Sequence, residues 1–219
     1  MSRVYLTRPL PDAVLDRARA LFDEVEVREE TAPLKIGQMR AALNLYDGIL
    51  PTLGDIFSAE VFEEAQNPRC KVLANFGVGY NHINVEAAKT AGVMVTNTPG
   101  AVTDATADIA MTLILMSARR AGEGERMVRA GEWGGWHPTQ MLGLHVTGKT
   151  VGIIGYGNAG KAFARKLKGF DCEVFCHDIK ADVSDENAQQ ISESSLLAIA
   201  DVISLHVPLT EKTQYLVND

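Results

Sequence analysis

The stretch that most limits what this chain can fold into runs from Lys149 to Asp178. It opens with a short apolar run, Val151-Gly-Ile-Ile154, which reads as a buried parallel strand. Gly155, Gly157 and Gly160 follow at once, spaced G-x-G-x-x-G, and Ala162, Phe163 and Leu167 then recur at helical spacing up to Gly169. A second strand, Glu173-Val-Phe-Cys176, ends at Asp178. Each part has a physical task. The first glycine permits a tight turn, the second lets backbone approach a pyrophosphate, and the third allows a helix to pack closely on a strand. The helix N-terminus offers free N–H groups and positive dipole to phosphates. An acid at the tip of the second strand, about 20 residues beyond the glycines, accepts hydrogen bonds from ribose hydroxyls. Three spaced glycines alone are a weak signal in a glycine-rich chain, and the alternative is a strand–turn–helix in which they only relieve crowding. Strand, glycines, helix, strand and acid in this order point to dinucleotide binding. A carboxylate at Asp178 would repel a 2′-phosphate, which favours NAD over NADP; Lys180 nearby pulls the other way.

The remainder reads as alternating strands and helices. Val4–Leu6, Glu24–Val27, Gly48–Leu50, Lys71–Phe76 and Val93–Thr96 are strand-like. Between them Val14, Leu15, Ala18, Leu21 and Phe22 form one helical face, Ile36–Leu45 is helix-like, Ser58 caps a helix through Ala65, and Asn84 caps a short one. Such alternation implies doubly wound parallel sheets with ligands beyond the C-terminal ends of the strands. Two of those ends stand out. Phe76-Gly-Val-Gly-Tyr-Asn-His82 either exposes backbone N–H groups to a small carboxylate or is simply a tight turn. Asn97-Thr-Pro-Gly100 leads into a helix capped by Thr103, with Asp104 in its first turn, and apolar nearly all round from Ile109 to Met116. That pattern predicts burial on several sides and an interdomain role. Gly131-Glu-Trp-Gly-Gly-Trp136 begins an irregular excursion to Gly148, either an arm against another subunit or a loop anchored on its own domain. Beyond Asp178 a polar loop runs to Asn187, then a short helix from Ser192 to Ala200, then Asp201–Val207, a strand apolar on both faces that ends at Pro208.

Composition closes off other classes. A net charge of −7 without a basic run argues against nucleic acid and anionic membrane surfaces. The apolar run Ile109–Ala118 is about half a membrane span. The N-terminus enters a strand at once, which leaves no room for a signal peptide. Cys70, Cys172 and Cys176 read as reduced core thiols of a cytoplasmic protein, not as a disulfide frame or metal site.

Together these residues resemble one family, the D-isomer-specific 2-hydroxyacid dehydrogenases. The resemblance rests on Asn75-Phe-Gly-Val-Gly-Tyr-Asn-His82, Asn97-Thr-Pro99 with Thr106-Ala-Asp108, Val151–Gly160 and His206-Val-Pro-Leu-Thr210. The tryptophan arm is similar to the glyoxylate/hydroxypyruvate reductase branch. The family implies two α/β domains, a flavodoxin-like substrate domain over residues 1–100 and a Rossmann NAD-binding domain over 101–219, with the active site in the cleft between them. It implies that the N–H groups of Val78 and Gly79 hold the substrate carboxylate, that Leu53 lines the substrate pocket, and that Thr106 lies near the nicotinamide. Tyr156, Asn158 and Ala159 would join Gly155, Gly157 and Gly160 around the pyrophosphate, with Asp178 on the ribose. His206, Val207 and Pro208 would pass beside the cofactor, so His206 is not the family's catalytic histidine. Homodimers are expected, and the implied reaction is NAD(H)-dependent reduction of a small 2-oxo acid such as glyoxylate or hydroxypyruvate to its D-2-hydroxy acid. Another member, such as a phosphoglycerate or formate dehydrogenase, is the alternative within the family; the lack of a basic cluster dedicated to a substrate phosphate argues against the former. The family's catalytic arginine and its glutamate–histidine pair have no match in these 219 residues. The expectation is therefore a chain lacking its C-terminal part, with no catalytic residue of its own and no turnover. A dinucleotide-sensing binding protein of the same fold is the competing reading.

Overall fold

The computed structural model describes residues 1–65, 67–180 and 182–218. The chain divides into two compact units, Met1–Val102 and Thr103–Asp219.

In the first unit five strands form a wholly parallel sheet: β1 (Arg3–Leu6), β2 (Glu24–Val27), β3 (Gly48–Leu50), β4 (Val72–Ala74) and β5 (Met94–Thr96), in the order β2-β1-β3-β4-β5. That is the flavodoxin-like winding. Four helices connect them: α1 (Asp12–Leu21), α2 (Ile36–Leu45), α3 (Ala59–Glu63) and α4 (Val85–Thr90). Leu43 and Val61 bury against Ile49 and Leu73 of the central strands, and Phe57 closes the layer. Tyr5 and Tyr46 stack with ring centroids 4.8 Å apart. Ser58 does precede α3, but its side chain makes no capping bond and the helix stops at Glu63. Asn84 does cap α4, accepting from the Ala87 N–H at 2.9 Å. The apolar stripe of α1 stays open. Val14, Ala18 and Phe22 line, with Leu6 and Ile49, a groove of about 240 Å³.

The second unit contains α5 (Thr103–Ala118), α6 (Ala121–Arg129), β6 (Thr150–Ile154), α7 (Asn158–Leu167), β7 (Glu173–His177), β8 (Gln189–Gln190), α8 (Glu193–Ile199) and β9 (Val202–Leu205). Its parallel sheet runs β8-β7-β6-β9. The chain winds outward from β6 to one side and then returns to place β9 on the other, the Rossmann pattern with its switch point between β6 and β9. The core is Val151 and Ile153 of β6 packed on Ala162, Phe163 and Leu167 of α7 and on Cys176 of β7. The family of folds anticipated, two α/β units with parallel sheets and flanking helices, is the one observed.

Several local expectations are corrected. α5 is not buried on several sides: Ala107 and Met111 are buried with the α7 core, whereas Ile109 and Leu113 are each 60% exposed. One stripe is enough to seat the helix, and ion pairs Lys166–Asp108 (2.7 Å) and Arg165–Asp104 (3.6 Å) fasten its flank to α7. α6 was not anticipated, because Gly122 and Gly124 lower helix propensity. Glu125–Arg129, a pair one turn apart, was the signal available. α7 is not stopped by Gly169: the helix tightens into a 3-10 turn at Lys168–Phe170, and Asp171 in the left-handed region (φ 51°) turns the chain. The short strand β8 lies just past the polar loop, between Asn187 and Ser192, where the sequence reading assigns no element; of the loop itself, Ala181 lies outside the described residues. Cys70, Cys172 and Cys176 are all free, and burial pushes the Cys70 and Cys176 thiols up to about 11. Among the described residues no helix is long and apolar enough to cross a membrane.

The carboxylate that sets the upper edge of the first unit is Asp55, which is fully buried. It accepts from the Thr7 hydroxyl, from the Leu34 N–H at 2.9 Å, from the Thr52 N–H at 3.1 Å and from Arg8 Nη2 at 3.0 Å. Burial by itself would raise this carboxyl; the Thr7, Leu34 and Thr52 donors together with Arg8 outweigh it and hold it below the ordinary value. A depressed folded value means the stabilisation is complete at neutral pH and is lost as pH falls through it. Asp55→Ala strands the Arg8 charge beside three unsatisfied donors, the Thr7 hydroxyl and the Leu34 and Thr52 N–H groups. It should destabilise the first unit by about 3–5 kcal/mol, read from its urea unfolding midpoint; a loss under about 1 kcal/mol would refute this account.

Candidate dinucleotide and carboxylate sites

The first turn of the second unit is dictated by contact distances. Gly155 has φ +92°, and a Cβ there would lie 2.7 Å from the His206 carbonyl oxygen. A Cβ on Gly160 would lie 2.3 Å from the Gly155 carbonyl oxygen. Around Gly157, by contrast, a Cβ would meet nothing within 4 Å, so the backbone faces open space there. The three glycines therefore divide as turn, open approach and close packing. Helix α7 starts with the Lys161 N–H on the Gly157 carbonyl at 2.9 Å. This leaves the N–H groups of Asn158, Ala159 and Gly160 without intrahelical acceptors, at the positive end of the helix. That geometry fits the pyrophosphate of a dinucleotide.

Asp178 sits just past β7 and beside this turn. Its Oδ2 accepts from the Tyr156 N–H at 2.8 Å and its Oδ1 from the Lys180 N–H at 2.9 Å. Burial works to raise its carboxyl, but the Lys180 and Tyr156 N–H groups more than offset that and leave it below the ordinary value, hence ionised at neutral pH. Each oxygen keeps further acceptor capacity for ribose hydroxyls. Tyr156 turns out to offer the turn only its backbone. Its ring is buried, its hydroxyl donates to Asp185 at 2.7 Å, and Lys161 Nζ lies 5.4 Å from the ring centroid. Burial first, and the Asp185 bond second, push this phenol up. Asp185 escaped the sequence reading because nothing local marks it among the acids of a polar loop.

Thr106 of α5 and His206 beyond β9 come together on one open concavity of about 770 Å³, with Ile109, Leu113 and Ser204. His206 Nε2 lies 3.0 Å from the Ser204 hydroxyl, and its ring lies against Phe163 at 5.3 Å. Burial depresses its imidazole, so it is neutral at pH 7. Val207 packs against the turn, its Cγ1 2.8 Å from where a Gly155 Cβ would sit, and Pro208 is exposed just beyond it.

In the first unit the loop after β4 is Phe76–His82. Gly77 has φ +147°, a region that side chains avoid, and this turns the chain. All three carbonyls from Gly77 to Gly79 accept hydrogen bonds: Gly77 from Asn75 Nδ2 (3.1 Å) and the Thr98 N–H (3.1 Å), Val78 from Asn97 Nδ2 (2.8 Å), and Gly79 from Asn75 Nδ2 (2.8 Å). The N–H groups of Val78 and Gly79 have no acceptor among the described residues. Leu53 is 62% exposed on the loop that Asp55 ties down. Asn75 and Asn97 stood in the recognised motifs without a role. The available signal was that asparagine side chains bond backbone a residue or two away.

A parallel sheet whose first turn leaves open backbone at a helix N-terminus, with an ionised acid at the next strand end, defines a dinucleotide-binding α/β protein. The comparisons agree and go further. The family model described as D-isomer specific 2-hydroxyacid dehydrogenase, NAD binding domain, matches residues 111–219. A glyoxylate reductase of Korarchaeum cryptofilum is 38% identical over 221 residues, covering 99% of this chain and 66% of its own length. A glycerate dehydrogenase of Hyphomicrobium methylovorum is 37% identical, covering 99% of this chain and 68% of its own. The crystal structure of the TT0316 protein from Thermus thermophilus superposes with a TM-score of 0.89 at 39% identity, covering 98% of this chain and 67% of that one. The chain belongs to the D-isomer-specific 2-hydroxyacid dehydrogenase family, and it spans about two thirds of the length of the curated relatives it matches.

The close packing at the turn is directly testable. Gly160→Ala forces α7 away from β6 and should cost roughly 1–3 kcal/mol in the stability of the second unit, with weaker NADH binding in fluorescence titration. Unchanged stability and affinity would refute the contact argument.

Proposed function

We propose that the protein serves NAD(H)-dependent reduction of a small 2-oxo acid, with glyoxylate or hydroxypyruvate as first candidates. The observation that carries the reading is the open turn at Gly157 with free N–H groups on α7 and Asp178 beside it. In this reading the N–H groups of Asn158, Ala159 and Gly160 hold the pyrophosphate, and Asp178 takes the ribose hydroxyls. Thr106, His206, Val207 and Pro208 border the nicotinamide end. The Val78 and Gly79 N–H groups hold the substrate carboxylate, with Leu53 against the rest of the substrate. A bound reduced nicotinamide supplies hydride to the substrate carbonyl carbon. A neutral His206 bonded to Ser204 orients and shields but donates no proton, in keeping with a supporting role.

This gives residues 1–100 a substrate role and 101–219 a dinucleotide role. On the family resemblance, the arginine that would grip the 2-oxo acid and the glutamate–histidine pair that would protonate its oxygen find no match in these 219 residues. We expect this polypeptide by itself to bind NADH without measurable turnover, since a general acid alone is worth about 10²–10⁴-fold. NADH binding with no oxidation by glyoxylate or hydroxypyruvate, but with amide shifts at Val78 and Gly79 on adding either acid, supports both parts. Turnover by this polypeptide alone overturns the inactivity. Binding of NADH with no response to either acid favours a dinucleotide sensor instead.

The preference for NAD over NADP rests on Asp178, because an ionised carboxylate repels a 2′-phosphate. Asp178→Ala should weaken NADH binding by about 1.5–3 kcal/mol and narrow or reverse the preference over NADPH. Equal affinities in the unsubstituted protein would sink it. The arm at Gly131–Trp136 leaves Trp133 and Trp136 exposed, which supports pairing of two copies through it in a reducing, cytoplasmic setting. Sedimentation at micromolar concentration should give a dimer, and a monomer counts against that pairing.

A further inference from the structure

Resting on the reading that the Val78 and Gly79 N–H groups take the substrate carboxylate, we propose that Asn75 and Asn97 are positioning residues that aim those N–H groups. In a planar trans peptide the C=O of one residue and the N–H of the next point in opposite directions. Whatever holds the Gly77 carbonyl therefore directs the Val78 N–H. Whatever holds the Val78 carbonyl directs the Gly79 N–H, and the Gly79 carbonyl likewise sets the N–H of Tyr80.

The structure holds all three carbonyls with side-chain amides. Asn75 Nδ2 donates to Gly77 and Gly79 at 3.1 and 2.8 Å, and Asn97 Nδ2 donates to Val78 at 2.8 Å. Asn75 follows β4 and is 2% exposed, so its amide is anchored in the core. Asn97 follows β5, the neighbouring strand, and the Thr98 N–H adds a second donor to Gly77 at 3.1 Å. The loop after one strand is thus stitched to the loop after the next. A segment with two glycines in three residues has wide conformational freedom when unheld. Fixing it beforehand removes an ordering cost that an anion would otherwise meet on binding. Asparagine suits the task because each carbonyl requires a donor, and an aspartate would set a negative charge beside an incoming anion.

The test uses the whole 219-residue chain, with glyoxylate as the probe and the amide resonances of Val78 and Gly79 as the readout. Asn97→Ala removes one donor from an exposed loop without adding charge. If the unheld loop spends about a tenth of its time in the competent arrangement, glyoxylate affinity falls about tenfold, while NADH affinity and the urea midpoint of the first unit stay unchanged. Asn97→Gln keeps an amide on a longer stem and recovers part of the affinity, which a purely structural role would not produce. Glyoxylate affinity of Asn97→Ala within twofold of the unsubstituted chain overturns the clamp and leaves the carboxylate reading standing. No response of either amide to glyoxylate in the unsubstituted chain overturns the carboxylate reading and the clamp with it. A fall in the urea midpoint matching the loss of affinity, with no recovery by Gln, also overturns the clamp, because stability then explains the loss.

Discussion

Between β6 and α7 the backbone comes so close to itself that one added methyl at residue 160 would lie 2.3 Å from the carbonyl oxygen of Gly155. Most of what the second unit can do follows from that approach. It seats the start of α7 directly over the C-terminal end of β6, where the unpaired N–H groups and the helix dipole face open space. It brings the Tyr156 N–H within 2.8 Å of Asp178, so the acid at the end of β7 is drawn to the same turn. It also lets the chain beyond β9 pass at van der Waals distance, since a Cβ at Gly155 would strike the His206 carbonyl. Three separate strand ends therefore meet at one place because two residues carry no side chain.

The first unit reaches a comparable end by hydrogen bonding. Its sheet is also parallel, so the loops at the C-terminal ends of β1, β3, β4 and β5 share one edge. Asp55 gathers donors from just past β1, from the loop before α2 and from the loop after β3. Asn75 and Asn97 do the same for the loop after β4, with the polarity reversed: there side-chain amides serve backbone carbonyls and leave the N–H groups outward. Buried polar groups at such edges are costly unless satisfied: the Asp55 carboxylate and the Asn75 Nδ2 are, whereas the Asn75 Oδ1 has no partner among the described residues.

How much of this could be read beforehand varies with the range of the interaction. The strand–glycine–helix–strand–acid order was legible, because each part is a local preference and the parts are consecutive. The cap of α4 was legible for the same reason, with Asn84 accepting an N–H of its own first turn, whereas Ser58 before α3 makes no such bond. α5 was misjudged. An apolar composition says that a helix can be buried, but only the partner decides how much, and α7 covers one stripe while Ile109 and Leu113 stay open. α6 was overlooked because its two glycines argued against a helix that an ion pair and its neighbours nevertheless support.

By itself the sequence determined the order of elements, the parallel winding and the residues of the glycine turn, since these follow from short-range sterics and from periods of two and 3.6 residues. It also carried the family resemblance, through motifs that are contiguous in the chain. Only the tertiary structure decided that Tyr156 buries its ring on Asp185 and lends the turn its backbone alone. The same holds for the four residues whose donors converge on Asp55, and for the two asparagines, from adjacent strands, that turn three carbonyls away from the Val78 and Gly79 N–H groups. Those outcomes depend on which strand ends become neighbours in the sheet, and no run of adjacent residues encodes that.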